Sequence, residues 1–189
     1  MALIKRTVIG ANADKKSAIL YHDSPNEQDI PNVVRRSTLW ATTELPINNS
    51  IKGDRGADVT VREPEGGVIY RVLEIPPDMK DKKKHIEMMK QINEKVKQKY
   101  PPTEIDMERH PTMHRTDTLD CFIVARGEIY LVSDTDEVLL KAGDTAVVQG
   151  VNHAWSNRSN EPALIVGTMT RAKPLPTEGW RQQLWENIR

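Results

Sequence analysis

From Cys121 to Thr170 the chain is a succession of short apolar runs divided by turn residues. Cys121 to Ala125 is followed by an Arg126-Gly127 turn, then by Glu128 to Val132. Ser133-Asp134-Thr135-Asp136 carries a hairpin signal, and Glu137–Leu140, Thr145–Val148, His153–Asn157 and Pro162–Thr170 continue the series. Strands this short and this closely spaced leave no room for crossover helices. The solution open to them is an antiparallel barrel or sandwich.

The first third reads the same way. Thr7–Ile9, Ser17–Tyr21, Val33–Thr43 and Gly67–Ile75 have strand character, and Asn48–Gly56 reads as an exposed loop. One segment differs in kind. Met79 to Tyr100 lacks Gly and Pro, and Ile86, Met89, Ile92 or Asn93, and Val96 recur at helical spacing. Asp78 is its expected N-cap and Pro101-Pro102 its stop. Eight lysines lie between Lys80 and Lys99 against three acidic residues, so one face is basic. That face is either a solvated surface or a lid over a pocket. Glu178 to Arg189 predicts a short amphipathic helix with Trp180, Leu184, Trp185 and Ile188 on its apolar side. The expected organisation is one domain over 1–189: N-terminal strands in 1–77, an inserted helix in 78–100, motif strands in 110–171 and a terminal helix in 178–189.

Lys+Arg and Asp+Glu each total 27, and this balance disfavours nucleic-acid and anionic-membrane partners. The single cysteine, Cys121, excludes an internal disulfide framework and a multi-cysteine zinc site. It follows Asp120 in a strand and is expected to pack in the core. No apolar run reaches membrane-spanning length, and the opening residues lack a signal-peptide pattern, so the expected location is cytoplasmic.

His114, Thr116 and Asp120 are separated by even intervals, as are His153, Trp155 and Asn157. In extended chain each set shares a face. Phe122 and Val124 share parity with Asp120 and would supply an apolar wall. Arg115 and Arg126 read as surface charges, Tyr70 and Tyr130 as strand aromatics, and His22 and His85 as incidental.

The stretch from His110 to Thr170 resembles the cupin superfamily. That family's first motif runs His-x-His, a glutamate, six residues and a glycine; the corresponding letters are His114-Arg115-Thr116, Asp120 and Gly127. The second motif runs from Gly143 through the turn Gln149–Asn152 to His153 and Asn157. Three departures stand out. Thr116 replaces the second histidine, Asp120 the glutamate, and Gln149 the proline of a turn one residue shorter than usual.

The resemblance implies an all-β jelly-roll β-barrel with a helix inserted before the first motif and a short C-terminal helix. It implies a small-molecule pocket with His114, Asp120 and His153 as catalytic residues, lined by Thr116, Phe122, Tyr130, Trp155 and Asn157. Two imidazoles and one carboxylate form a set that suits Fe and also takes Mn, Ni or Zn, with His110 as a further nitrogen. The same three residues also read as a metal-free acid–base group, or as a hydrogen-bonded cluster without chemistry. The functions open at this point are a lyase or decarboxylase, an isomerase, an oxygenase, or a non-catalytic metabolite binder. By the same resemblance a homodimer is expected.

Overall fold

The computed structural model describes residues 4–50, 63–95 and 99–175. Eleven strands and two helices are present among them. In chain order these are β1 (Arg6–Ala11), β2 (Ser17–Asp23), β3 (Glu27–Ile30), β4 (Val34–Ala41), β5 (Val68–Ile75), α1 (Lys82–Lys95) and α2 (Glu104–Arg109), then β6 (Thr118–Arg126), β7 (Glu128–Val132), β8 (Glu137–Lys141), β9 (Thr145–Gln149), β10 (Ala154–Ser156) and β11 (Ala163–Arg171). The expected terminal helix, 178–189, lies outside the described residues, as do Val96 and residues 51–56 of the expected loop.

A six-stranded sheet of order β3-β4-β5-β11-β6-β9 and a three-stranded sheet of order β10-β7-β8 make the jelly roll. All pairings are antiparallel. The alternation along β6 explains its place: Thr118, Asp120, Phe122 and Val124 are buried, while Leu119, Cys121 and Ile123 are exposed. The main apolar cluster joins the two sheets. Ile75, Phe122, Val124, Ile165 and Met169 come from one, and Ile129, Leu140 and Trp155 from the other. Cys121 therefore faces outward and is exposed, not packed in the core as expected.

β1 and β2 form a separate hairpin. Arg6 binds it to the large sheet, donating to the Leu39 carbonyl at 2.8 Å and to Asp23 at 2.8 Å. Ile4 packs there on Leu39, Val72, Leu164 and Val166.

The helix begins later than the sequence suggests. Asp81, not Asp78, is the cap: its carboxylate accepts from the Lys84 N–H at 3.0 Å. The buried stripe of α1 is His85, Met89 and Asn93, a four-residue step that carries two polar side chains. The second helix was not anticipated. Thr103 and Asp106 form a capping box that starts it, and Asp106 also accepts from Asn152 at 2.9 Å, tying α2 to the turn before His153. Among the described residues no helix is long and apolar enough to cross a membrane.

Candidate functional site

Two segments bring the motif histidines together. His114 and His153 form an isolated antiparallel bridge, each backbone N–H donating to the other's carbonyl at 2.9 Å. Their rings stand 4.4 Å apart, tilted by 47°. Each ring is held in the same manner: His114 Nδ1 lies 2.9 Å from the Thr112 carbonyl, and His153 Nδ1 lies 3.0 Å from the Val151 carbonyl. A carbonyl only accepts, so both Nδ1 atoms carry hydrogen, and Nε2 is the basic nitrogen of each neutral ring.

Asp120 sits on the inner face of β6, opposite Val148 of β9 and Met169 of β11. It is 3% exposed, and its Oδ1 has no hydrogen-bond partner. Burial pushes its carboxyl up to about 6; the nearby Glu63 charge adds to this, while a Thr118 hydrogen bond and the Arg71 charge oppose it. Thr116 and Thr118 hydroxyls are 2.7 Å apart. With the Thr118 hydrogen directed at Asp120, Thr116 donates to Thr118. A short hydroxyl chain thus runs from the loop after His114 to the carboxyl.

The even spacing from His114 to Asp120 does not carry one strand face through. Between them the chain leaves extended pairing and bends at Asp117, which is 2% exposed. Burial alone would raise the Asp117 carboxyl. Hydrogen bonds from Lys99 and Tyr100, with the Lys99 and Arg171 charges, outweigh it and hold the carboxyl below its ordinary value. Arg115, expected at the surface, is buried with its guanidinium 4.0 Å from the Tyr100 ring centre.

The other expected site residues divide. Trp155 and Phe122 meet edge to face at 6.0 Å in the core, and Trp155 meets the His153 ring edge to face at 6.4 Å. Tyr130 does not join them. It packs with Met113, Val132 and Ala154 on the opposite face of β7 from Ile129, under the Arg158 guanidinium at 4.1 Å. Asn157 is fully buried and committed. It donates to the Ile75 and Glu161 carbonyls at 2.9 and 2.8 Å and accepts twice from Ser159, so it fixes a turn.

His110 belongs to a second cluster. Its Nδ1 accepts from Thr112, and its Nε2 faces Asp78 at 3.4 Å. Asp78 in turn accepts from the Ser156 hydroxyl at 2.6 Å and the Asn157 N–H at 3.2 Å. His85, read from the sequence as incidental, is buried here, edge-on to His110 at 6.2 Å, with its Nε2 unpartnered. Its step to Met89 and Asn93 was the signal available for its burial.

A metal would need more donors than this. Among the described residues no three His, Cys, Asp or Glu side chains are arranged to hold an ion. His114 and His153 supply two matched nitrogens, Thr116 supplies a neutral hydroxyl already spent on Thr118, and His110 is engaged with Asp78. Among the described residues His114, His153 and Asp120 are not arranged as a two-histidine, one-carboxylate centre.

A jelly roll whose two motif segments meet through His114 and His153 defines a class, and the comparisons name it. Residues 96–169 match the family described as cupin domain. The chain is 45% identical over 69 residues to phomopsin biosynthesis cluster protein C' of Diaporthe leptostromiformis, covering 35% of this chain and 36% of that one. It is 39% identical over 80 residues to oryzines biosynthesis cluster protein J of Aspergillus oryzae, covering 41% and 44%. The chain thus spans less than half the length of these curated relatives. Among solved structures, the Schizosaccharomyces pombe Cnp3 cupin domain covers 95% of this chain and 93% of its own, at 12% identity and a TM-score of 0.45.

Proposed function

We propose that this cupin is a small-molecule enzyme of the proton-transfer kind, a lyase or isomerase working without a resident metal. One observation carries the reading: Asp120, buried on the inner sheet face with an unpartnered oxygen, is held at about 6. Such a carboxyl passes between acid and base near neutral pH, which is what general acid–base catalysis needs. His114 and His153 add two imidazoles whose basic nitrogens are set by the backbone. Phe122 and Trp155 give an apolar wall that strengthens electrostatics nearby. The names of the two relatives refer to biosynthesis clusters, which suits an enzyme acting on a small metabolite.

The test is solvent exchange. Untagged protein, purified without added metal, is incubated in D2O with a panel of 2-oxo acids and enolisable ketones, and deuterium uptake is followed by proton NMR. The expected result is catalysed uptake into at least one compound, lost by about a hundredfold or more in Asp120→Asn. Ligands that stabilise the protein without exchange would replace the enzyme with a metabolite binder. Near-stoichiometric Fe, Mn, Ni or Zn that disappears in His153→Ala would overturn the metal-free version.

We further propose a homodimer formed through the outer face of β6 and β9, where Leu119, Ile123 and Val147 are exposed. A monomer by light scattering would overturn it.

A further inference from the structure

The large sheet has a second end, where β4 begins and β5 stops, and a cavity opens there. Its volume is about 200 Å³, and neither Asp120 nor the motif histidines line it. β11 sets the separation: Leu164 pairs with Glu74 at the cavity, and Met169 pairs with Asp120. At a rise of about 3.3 Å per residue, roughly 16 Å of strand lies between the two positions.

Three separate segments wall this cavity with proline. Pro31 comes from the β3–β4 turn, Pro76 from the exit of β5 and Pro162 from the approach to β11. Asn32 carries the turn at φ 63°, a conformation asparagine adopts more readily than most residues, and the Val33 N–H donates to the Ile30 carbonyl at 3.0 Å. Ile30 and Val34 are thereby paired, and both line the cavity. Val34 also packs on the main apolar cluster, which makes the cavity floor apolar. Proline has no backbone N–H, so the three walls present ring methylenes and no donor.

The charges at the rim do not cancel. Asp29 and Arg35 are cross-strand partners, as are Arg35 and Glu74. Arg35 is committed to other carboxylates, donating to Glu27 at 2.9 Å and lying 3.8 Å from Glu74. Glu74 also accepts from Arg126 at 2.7 Å. Glu27, Asp29 and Glu74 against Arg35 and Arg126 leave a net negative charge. Asp29 is exposed, and among the described residues no cation lies within ion-pair distance of it.

We propose that this cavity is a second small-molecule site, for a compound that carries an ammonium group on a compact apolar body. Ile30, Val34 and the proline rings take the body, and Asp29 takes the ammonium. A single ring with a one-carbon arm suits the volume, whereas an anion of the same shape meets Asp29 and Glu74 and is repelled. The site stands apart from the proton-transfer reading and does not depend on it.

The experiment is titration of the full chain with four probes at pH 7, followed by amide NMR: benzylamine, benzyl alcohol, benzoate and methylamine. Benzylamine is expected to bind with a dissociation constant of about a millimolar. Benzyl alcohol should bind about threefold or more weaker, and benzoate and methylamine should not bind measurably, the first for its charge and the second for want of a body. The shifts should centre on Asn32, Val34, Arg35 and Glu74 and spare Asp120. Asp29 is exposed, so its variants keep the fold. Asp29→Asn should bring benzylamine to the level of benzyl alcohol, and Asp29→Lys should abolish its binding. Equal binding of benzylamine and benzyl alcohol, undiminished binding in Asp29→Lys, or shifts centred on Asp120 would each overturn the site.

Discussion

His114 and His153 mirror one another: each exchanges backbone hydrogen bonds with the other, and each anchors Nδ1 on the carbonyl two residues before it. This symmetry fixes the tautomer of both rings from backbone geometry alone. The two basic nitrogens are placed by the chain.

Nitrogen NMR of the imidazoles at pH 8 is therefore expected to show hydrogen on Nδ1 and none on Nε2 in both residues. A hydrogen on Nε2 of either ring would contradict the arrangement. Thr112 and Val151 contribute only their carbonyls, so Thr112→Ala and Val151→Ala should leave the tautomers unchanged.

Asp120 gives a signed dependence of stability on pH. Its folded value, about 6, lies above its ordinary 3.8, so the folded state holds this proton more tightly than the unfolded chain. The stability is fully present below the unfolded value and is lost as pH rises through the folded one. The gap corresponds to about 3 kcal/mol, spent between about pH 4 and 6. Asp120→Asn carries no such slope and should be more stable than wild type at pH 8 by up to about 3 kcal/mol in urea denaturation. A less stable variant at pH 8 would mean that the carboxylate is better accommodated than its burial indicates.

How far the fold was legible follows from where its information lies. The alternation of β6 and the turns at Gly127 and Ser133–Asp136 are local, and the strands fall where that pattern puts them. β3 escaped because Glu27–Ile30 has one apolar residue, and its pairing with β4 decides its conformation. The parity of His114 with Asp120 failed for a non-local reason. Asp117 is held by Lys99, Tyr100 and Arg171, and its N–H by Glu63, none of which its neighbours in sequence disclose. His85 was missed because hydropathy ranks histidine and asparagine as surface residues, whereas α1 buries both on one stripe.

Asn157 shares strand parity with His153, which suggested a ligand contact. Its four hydrogen bonds to Ile75, Glu161 and Ser159 place its work in the turn before β11. Asn157→Ala strips partners from buried carbonyls and should cost about 2–4 kcal/mol. Deuterium exchange catalysed by the folded fraction should be unchanged. A variant of wild-type stability that lost exchange would restore Asn157 to the site.

His85 should produce an acid-side loss of stability with the opposite sign to that of Asp120. Burial pulls the imidazole below its ordinary 6.5 and the neighbouring His110 charge pulls it further, while Asp78 opposes both. The unfolded chain then takes up this proton first as pH falls, so the contribution is present above about 6.5 and lost as pH drops through the folded value. Asp78 and His110 are the titratable groups that face it. Asp78 stays ionised: burial would raise its carboxyl, but bonds to His110, Ser156 and the Asn157 N–H outweigh that and keep it low. His85→Phe keeps an aromatic edge against His110 and removes the titration. Melting temperatures from pH 7.5 to 5, taken in the Asp120→Asn background to remove the opposing slope, should fall for the parent and flatten for His85→Phe. Parallel curves would show that His85 takes its proton inside the folded protein as readily as outside it.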